Sequence, residues 1–240
     1  MNGAFDPPPS WLTARPIAHR GLHDLAAGRP ENSLAAFEAA VRHGYAIECD
    51  LQPARGGATM VFHDAGLERL TGETGPVAER SSHDLETLAL LGTPERIPTL
   101  AGMLARVGDS VPVVLELKGP QKDAEPFVQA VASAAAAHGG RIALMSFDHE
   151  ILRLLRRHVA DRPLGLTAMG EDECFDAHAA IFEETALSFV SYDVNALPSR
   201  FVAHVRERGA AAITWTVRTP EQVEATRRHA DQMTFEGFRP

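Results

Sequence analysis

Cysteine is almost missing from this chain, with two residues, Cys49 and Cys174, among 240. So few cysteines exclude a disulfide framework and fit a reducing compartment. Long apolar runs are missing too. The longest, Ala130 to Ala137, is rich in alanine and far too short to cross a bilayer, so no stable membrane insertion is expected. The stretch Met1 to Ser10 is polar and proline-rich, without the apolar centre of a secretory leader. Together these absences give the expectation of a cytoplasmic protein. An excess of positive charge is also lacking: 23 basic residues face 32 acidic ones, for a net charge of -9. That balance argues against nucleic acid and anionic membrane surfaces as partners. No Gly-x-Gly-x-x-Gly follows the first predicted strand, which removes the main support for a dinucleotide-binding fold.

The remainder is ordinary for a globular protein, with 45% hydrophobic and 23% charged residues. Strand-like and helix-like segments alternate from end to end. Pro16 to Arg20 reads as the first strand. Asn32 or Ser33 caps a helix running to about His43, and Gly44 stops it. Ala46 to Leu51 reads as the second strand, extended by a hairpin to His63. Strands are then expected at Val111–Lys118, Ile142–Phe147, Leu164–Ala168, Phe189–Val194, Ala211–Val217 and Gln232–Glu236. Helices fall between them, such as Thr99–Val107 with Thr99 as N-cap, and Pro220–Arg228 with proline in its first turn. Eight strand–helix steps of this length predict a (β/α)8 barrel, with a hairpin and a small insertion after strand two. The insertion is placed at about residues 64–97, with a short helix near Ser82–Leu90. No linker or low-complexity tract interrupts the chain, so residues 1–240 read as a single domain.

The stretch Ile47 to Asp64 carries the densest chemistry. Glu48 and Asp50 are two apart on a strand, so their carboxylates share one face and Cys49 takes the other. Two half-buried anions side by side are costly without a cation. Gly56-Gly57 is a strong hairpin signal. A two-residue turn there sets Asp50 opposite Phe62 or His63, and with both glycines central the partner is His63. In a (β/α)8 barrel the working groups lie at the C-terminal ends of the strands. Those ends hold His19-Arg20, then Glu48, Asp50 and the returning His63, then Glu116 and Lys118, and later Trp215. Singly, each has a plain structural reading: Glu48 with Lys118 as an internal ion pair, Arg20 paired to Glu31, Trp215 as packing. Their convergence favours one site for an anionic substrate. Glu48, Asp50 and Glu116 form an all-oxygen ligand set, which favours Mg²⁺ or Ca²⁺. Arg20 and Lys118 supply charge for a phosphate. His19 and His63 can divide acid and base roles near neutral pH.

The same residues carry a family resemblance. His19-Arg20-Gly21, Pro30-Glu31-Asn32-Ser33, Glu48-Cys49-Asp50, His63-Asp64 and Glu116-Leu117-Lys118 follow one another as in the glycerophosphodiester phosphodiesterase family. Ile97-Pro98-Thr99-Leu100, Ser146-Phe147 and Trp215-Thr216-Val217 also fit. The resemblance implies a divalent metal and hydrolysis of glycerophosphodiesters to sn-glycerol 3-phosphate plus an alcohol. By position, His19 and His63 match the acid/base pair, and Glu48, Asp50 and Glu116 match the metal ligands. Arg20 and Lys118 match phosphate contacts, Trp215 a pocket-lining residue, and Glu31 an acidic residue supporting the first histidine's neighbourhood. One departure stands out. Family members often end on a strand reading Thr-Asp-x-Pro, whereas here Thr234 is followed by Phe235 and Glu236. Two other readings share the barrel: phospholipase D-like cleavage of lysophospholipids, and a non-catalytic barrel binding a phosphorylated ligand. The first is disfavoured by the missing disulfides and apolar rim, the second by the presence of both histidines. A glycosidase built on Glu48 and Glu116 would leave the third carboxylate and the basic residues unexplained.

Overall fold

The computed structural model describes residues 7–119 and 123–240. The leader expectation concerns a stretch whose first six residues lie outside that range. The strands are β1 (Ile17–Ala18), β2 (Ala46–Pro53), β3 (Thr59–Val61), β4 (Val113–Leu117), β5 (Ile142–Ser146), β6 (Leu164–Ala168), β7 (Phe189–Asp193), β8 (Ala211–Val217) and β9 (Gln232–Phe235). All but β3 run parallel, and β1 pairs with both β2 and β9. The sheet is therefore a closed eight-stranded (β/α)8 barrel, with β3 hanging from β2 as an antiparallel hairpin arm.

Most of these strands are short runs of valine, isoleucine, leucine and alanine, buried along nearly their whole length. Parallel strands covered on both faces need that composition. β1 is only two residues long because Arg20 turns the backbone to a positive φ of 54°. Its ladder still reaches one residue further, since the His19 N–H donates to the Phe235 carbonyl at 3.0 Å. Gly21 is dictated by space: a Cβ there would meet the Ala36 backbone at 2.9 Å. Inside the barrel, Ile17, Ala46, Val114, Phe189 and Ile213 pack with Leu12, which plugs the lower end. Gly165 makes room for the Phe189 ring, which a Cβ would meet at 2.4 Å.

The helices are α1 (Leu34–His43), α2 (Glu68–Thr71), α3 (Ser82–Leu85), α4 (Leu100–Val107), α5 (Glu125–Ala137), α6 (His149–His158), α7 (Phe175–Glu184), α8 (Arg200–Glu207) and α9 (Pro220–His229). Their starts follow local chemistry. Ser33, Thr99, Asp148, Ser199 and Thr219 each accept a first-turn N–H, an interaction worth about 1 kcal/mol per cap. Their apolar faces join the outer faces of the strands in one continuous shell, which includes Phe37, Ile47, Cys49, Leu115 and Val190. Residues 64–97 build a separate small core under the hairpin, in which Leu67, Leu70, Val77 and Leu85 pack with Phe62. Only the first turn of the helix expected at Ser82–Leu90 is helical. Among the described residues, no helix is long and apolar enough to cross a membrane.

The hairpin register differs from the favoured expectation. Arg55, Gly56 and Gly57 form a three-residue loop closed by the Ala54 N–H donating to Ala58 at 2.8 Å. Both glycines have φ near 90°. A loop of odd length shifts the pairing by one residue, so Asp50 lies opposite Phe62 rather than His63, joined by a 2.9 Å bond from the Phe62 N–H. His63 comes just beyond the ladder. Its carbonyl is held by the Gln52 side chain at 3.0 Å.

Candidate active site

The β2–β4 register explains how the carboxylates meet. Asp50 pairs with Glu116, and Glu48 pairs with Val114, an interior residue. Partners on adjacent parallel strands point the same way, and residues two apart share a face. Glu48, Asp50 and Glu116 therefore all turn inward near the top of the barrel. Their nearest oxygens lie within 4.8 Å of one another, and all three residues are buried. Lys118, one pleat beyond Glu116, sets its Nζ 2.8 Å from Asp50 Oδ1 and also pairs with Glu116.

From β1, the backbone N–H of Arg20 donates to Glu48 Oε2 at 3.0 Å, and His19 Nε2 sits 3.9 Å from the same oxygen. The Arg20 guanidinium approaches Asp50 at 3.1 Å and donates to Glu31 at 2.7 Å. Glu31 thus supports Arg20 rather than touching the carboxylate cluster. Asn32 has a role different from the expected cap. Ser33 caps α1, while Asn32, buried at a φ of 55°, donates through Nδ2 to Asp50 Oδ2 at 2.8 Å. Asparagine tolerates the left-handed region better than most residues.

Each histidine is fixed by a carboxylate on Nδ1. His19 meets Glu236 Oε2 at 2.6 Å, and His63 meets Asp64 Oδ1 at 2.6 Å. A carboxylate accepting from Nδ1–H assigns the tautomer and leaves Nε2 as the free nitrogen of each ring. Sequence reasoning named neither carboxylate as a partner. Asp64 was visible as the neighbour of His63. Glu236 stands one place past the family's usual aspartate, where only the closure of β9 against β1 brings it to His19. Arg218 holds its other oxygen at 2.7 Å.

The charges divide the site. Burial, with Asp50 and Glu116 alongside, pushes Glu48 well above the carboxylate range. Burial also raises Glu116, although Lys118 opposes it. Burial alone would raise Asp50 as well, but Lys118 and then Arg20 outweigh it and hold Asp50 well below that range. Glu236 is likewise held far down, because hydrogen bonds from His19 and Arg218, with His23 3.6 Å away, overcome its burial. Burial lowers both His19 and His63, against the upward pull of Glu236 on one and of Asp50 and Asp64 on the other. Glu48 Oε1 is buried without a hydrogen-bond partner. An orphaned carboxylate oxygen among three converging carboxylates fits a divalent cation with hard oxygen ligands.

These groups open on one cavity of about 370 Å³, which His19, Glu48, His63, Glu116, Lys118 and Trp215 help to line. The Trp215 indole donates to the Ser191 carbonyl at 3.0 Å and stands edge-on to Phe147, with 5.4 Å between ring centroids. All the residues named from the sequence as site candidates meet in or directly behind this cavity. A closed barrel with carboxylates, cations and two anchored imidazoles at its C-terminal mouth defines a hydrolase acting on phosphate esters.

The model of the glycerophosphoryl diester phosphodiesterase family matches residues 19–235. The chain belongs to that family and, with it, to the phosphoric diester hydrolases. It is 29% identical over 224 residues to a glycerophosphodiester phosphodiesterase of Caldanaerobacter subterraneus, covering 87% of each protein. A Bacillus subtilis protein provisionally named for the same activity is 37% identical over 112 residues. That match spans 43% of this chain and 44% of that relative's length. Among solved structures, an Oleispira antarctica phosphodiesterase in complex with its product sn-glycerol-3-phosphate superposes with a TM-score of 0.83. It is 20% identical, over 92% of both chains. A Thermotoga maritima glycerophosphodiester phosphodiesterase gives 0.75 at 23% identity, over 91% of this chain and 92% of that one. At such identities the structural likeness speaks for the fold.

Proposed function

We propose that this protein hydrolyses glycerophosphodiesters to sn-glycerol 3-phosphate and an alcohol. In this reading Glu48, Asp50 and Glu116 hold Mg²⁺ or Ca²⁺, and His19 and His63 form the acid/base pair. The observation that carries it is the meeting of three buried carboxylates within 4.8 Å of one another beside a cavity lined by two imidazoles, each anchored by a carboxylate. Held by those three carboxylates, a divalent ion would supply Lewis-acid chemistry at the phosphate. Arg20 and Lys118 attract and orient the anionic diester. One imidazole takes a proton on Nε2 from the attacking oxygen, and the other gives a proton to the leaving alcohol oxygen. Glu236 and Asp64 keep those nitrogens aimed into the cavity. Trp215 walls the substrate pocket on the β8 side.

Residues 1–240 are read as one catalytic unit, with residues 64–97 as an insertion that it carries. A cytoplasmic setting is supported by two free cysteines, one of them buried. The net charge of -9 speaks against nucleic acid as a partner. A second reading, lysophospholipid cleavage at the same site, draws on Phe147 and Met169, which are 41% and 52% exposed where they line the cavity. The test is incubation with glycerophosphodiesters and lysophosphatidylcholine, with and without Mg²⁺ or Ca²⁺. Release of glycerol 3-phosphate that depends on the ion is expected. Turnover of lysophosphatidylcholine alone would favour the second reading, and no turnover of any diester would sink both.

A further inference from the structure

Arg69 lies on α2, in the inserted segment, and has no part in the functional reading above. Its neighbours Leu67 and Leu70 are buried in the small core of that segment, so the turn that carries it is anchored. Its guanidinium grips two carboxylates at once. Nε and Nη2 donate to Asp64 at 2.6 and 3.0 Å, while Nη1 and Nη2 donate to Glu31 at 2.8 and 2.8 Å. Both carboxylates in turn hold groups that line the cavity. Asp64 accepts from His63 Nδ1 at 2.6 Å, and Glu31 accepts from Arg20 Nη1 at 2.7 Å. The result is an unbroken chain of charge-assisted bonds, Arg20–Glu31–Arg69–Asp64–His63, whose two ends line the cavity. Fork-to-fork pairing of this kind fixes direction as well as charge, which a lysine ammonium cannot do.

We propose that Arg69 is a positioning residue that couples His63 to Arg20. The inserted segment then sets both a proton-transfer group and a phosphate-facing cation through one side chain. The inference rests on the functional reading above. Its plain rival is a surface ion-pair cluster that only tacks the insertion to the barrel. Arg69 is 46% exposed. Ion pairs so open to solvent add little to stability. The rival therefore moves neither turnover nor affinity, whereas the coupling moves both.

The test compares the wild type with Arg69→Ala and Arg69→Lys on a glycerophosphodiester that the wild type hydrolyses. Arg69→Ala is expected to lower kcat about tenfold or more, the usual scale for a lost supporting partner, and to raise KM through Arg20. The melting temperature should stay within about 3 °C of wild type. Arg69→Lys should recover only part of the loss, and millimolar guanidinium ion should restore part of kcat to the alanine variant. Kinetic constants within about twofold of wild type in Arg69→Ala would overturn the coupling. If Arg69→Ala fails to fold, Arg69→Lys decides: full activity there overturns the coupling as well, because a point charge then suffices. A wild type that hydrolyses no diester condemns the functional reading instead. In that case the ring ¹⁵N signals of His63 report the coupling directly. An Nδ1–H tautomer undisturbed by Arg69→Ala overturns it, and a disturbed one sustains it.

Discussion

Replacing Glu236 by alanine removes the acceptor that fixes His19. The 2.6 Å bond to His19 Nδ1 is lost, and so is the 2.7 Å bond from Arg218. His19 is 12% exposed, so its Nδ1–H would be left largely without water. An unsatisfied buried donor costs about 1–3 kcal/mol. The freed imidazole can rotate or change tautomer, and loss of such an orienting partner lowers activity about 10- to 100-fold. That corresponds to about 1.4–2.8 kcal/mol of transition-state stabilisation. Arg218 is half exposed and should contribute little by itself. Glu236→Gln keeps an acceptor oxygen but not the charge, so its loss in kcat should be smaller than that of Glu236→Ala.

The direction of the pH effect follows from the same contact. Burial lowers the His19 pKa, and Glu236, more than Asp50, pulls it back up. Without that pull, the limb of the pH–rate profile governed by His19 should move to lower pH. The assay is steady-state release of glycerol 3-phosphate between about pH 5 and 9, the range in which a shifted histidine titrates. Urea unfolding, run alongside, separates a fall in kcat from a fall in stability. If Glu236→Ala kept wild-type kcat and an unmoved limb, the carboxylate would be a bystander and the anchoring of His19 would have to be sought elsewhere.

His19→Ala and His63→Ala should each reduce kcat by about 10²-fold or more with the fold intact by circular dichroism, and near-normal turnover in both would remove the acid/base assignment. Mg²⁺ or Ca²⁺ should raise the melting temperature of metal-free protein, and the gain should grow from about pH 5 to 8. The sign comes from Glu48 and Glu116: their pKa values are raised in the folded protein, so protons compete with the ion at acid pH and leave as pH rises. Glu48→Gln should largely abolish the gain. Melting curves showing no gain, or one independent of pH, would count against a metal at these carboxylates.

The barrel was legible because its signals are local. The Leu164–Ala168 and Ala211–Val217 strands are apolar runs bounded by turn residues, and Ser33 and Thr99 mark helix starts by side chains that serve their own first turns. The carboxylate set was legible for the same reason. Residues two apart on a strand share a face whatever the rest of the fold does, so Glu48 with Asp50, and Glu116 with Lys118, announced themselves. The hairpin register was not legible, because two adjacent glycines permit loops of two or three residues, and a single residue of slip changes the partner of Asp50.

Sequence by itself, then, determined the alternation of elements, the faces of the strands and the kinds of group gathered at their ends. Tertiary closure decided which groups support which. Glu236 reaches His19 across 217 positions because β9 seals against β1. Asn32 leaves helix capping to Ser33 and turns to Asp50, and Arg69 reaches across 38 positions to Glu31. Periodicity is written into neighbouring residues, whereas a hydrogen bond between distant ones exists only once the chain has brought them within about 3 Å.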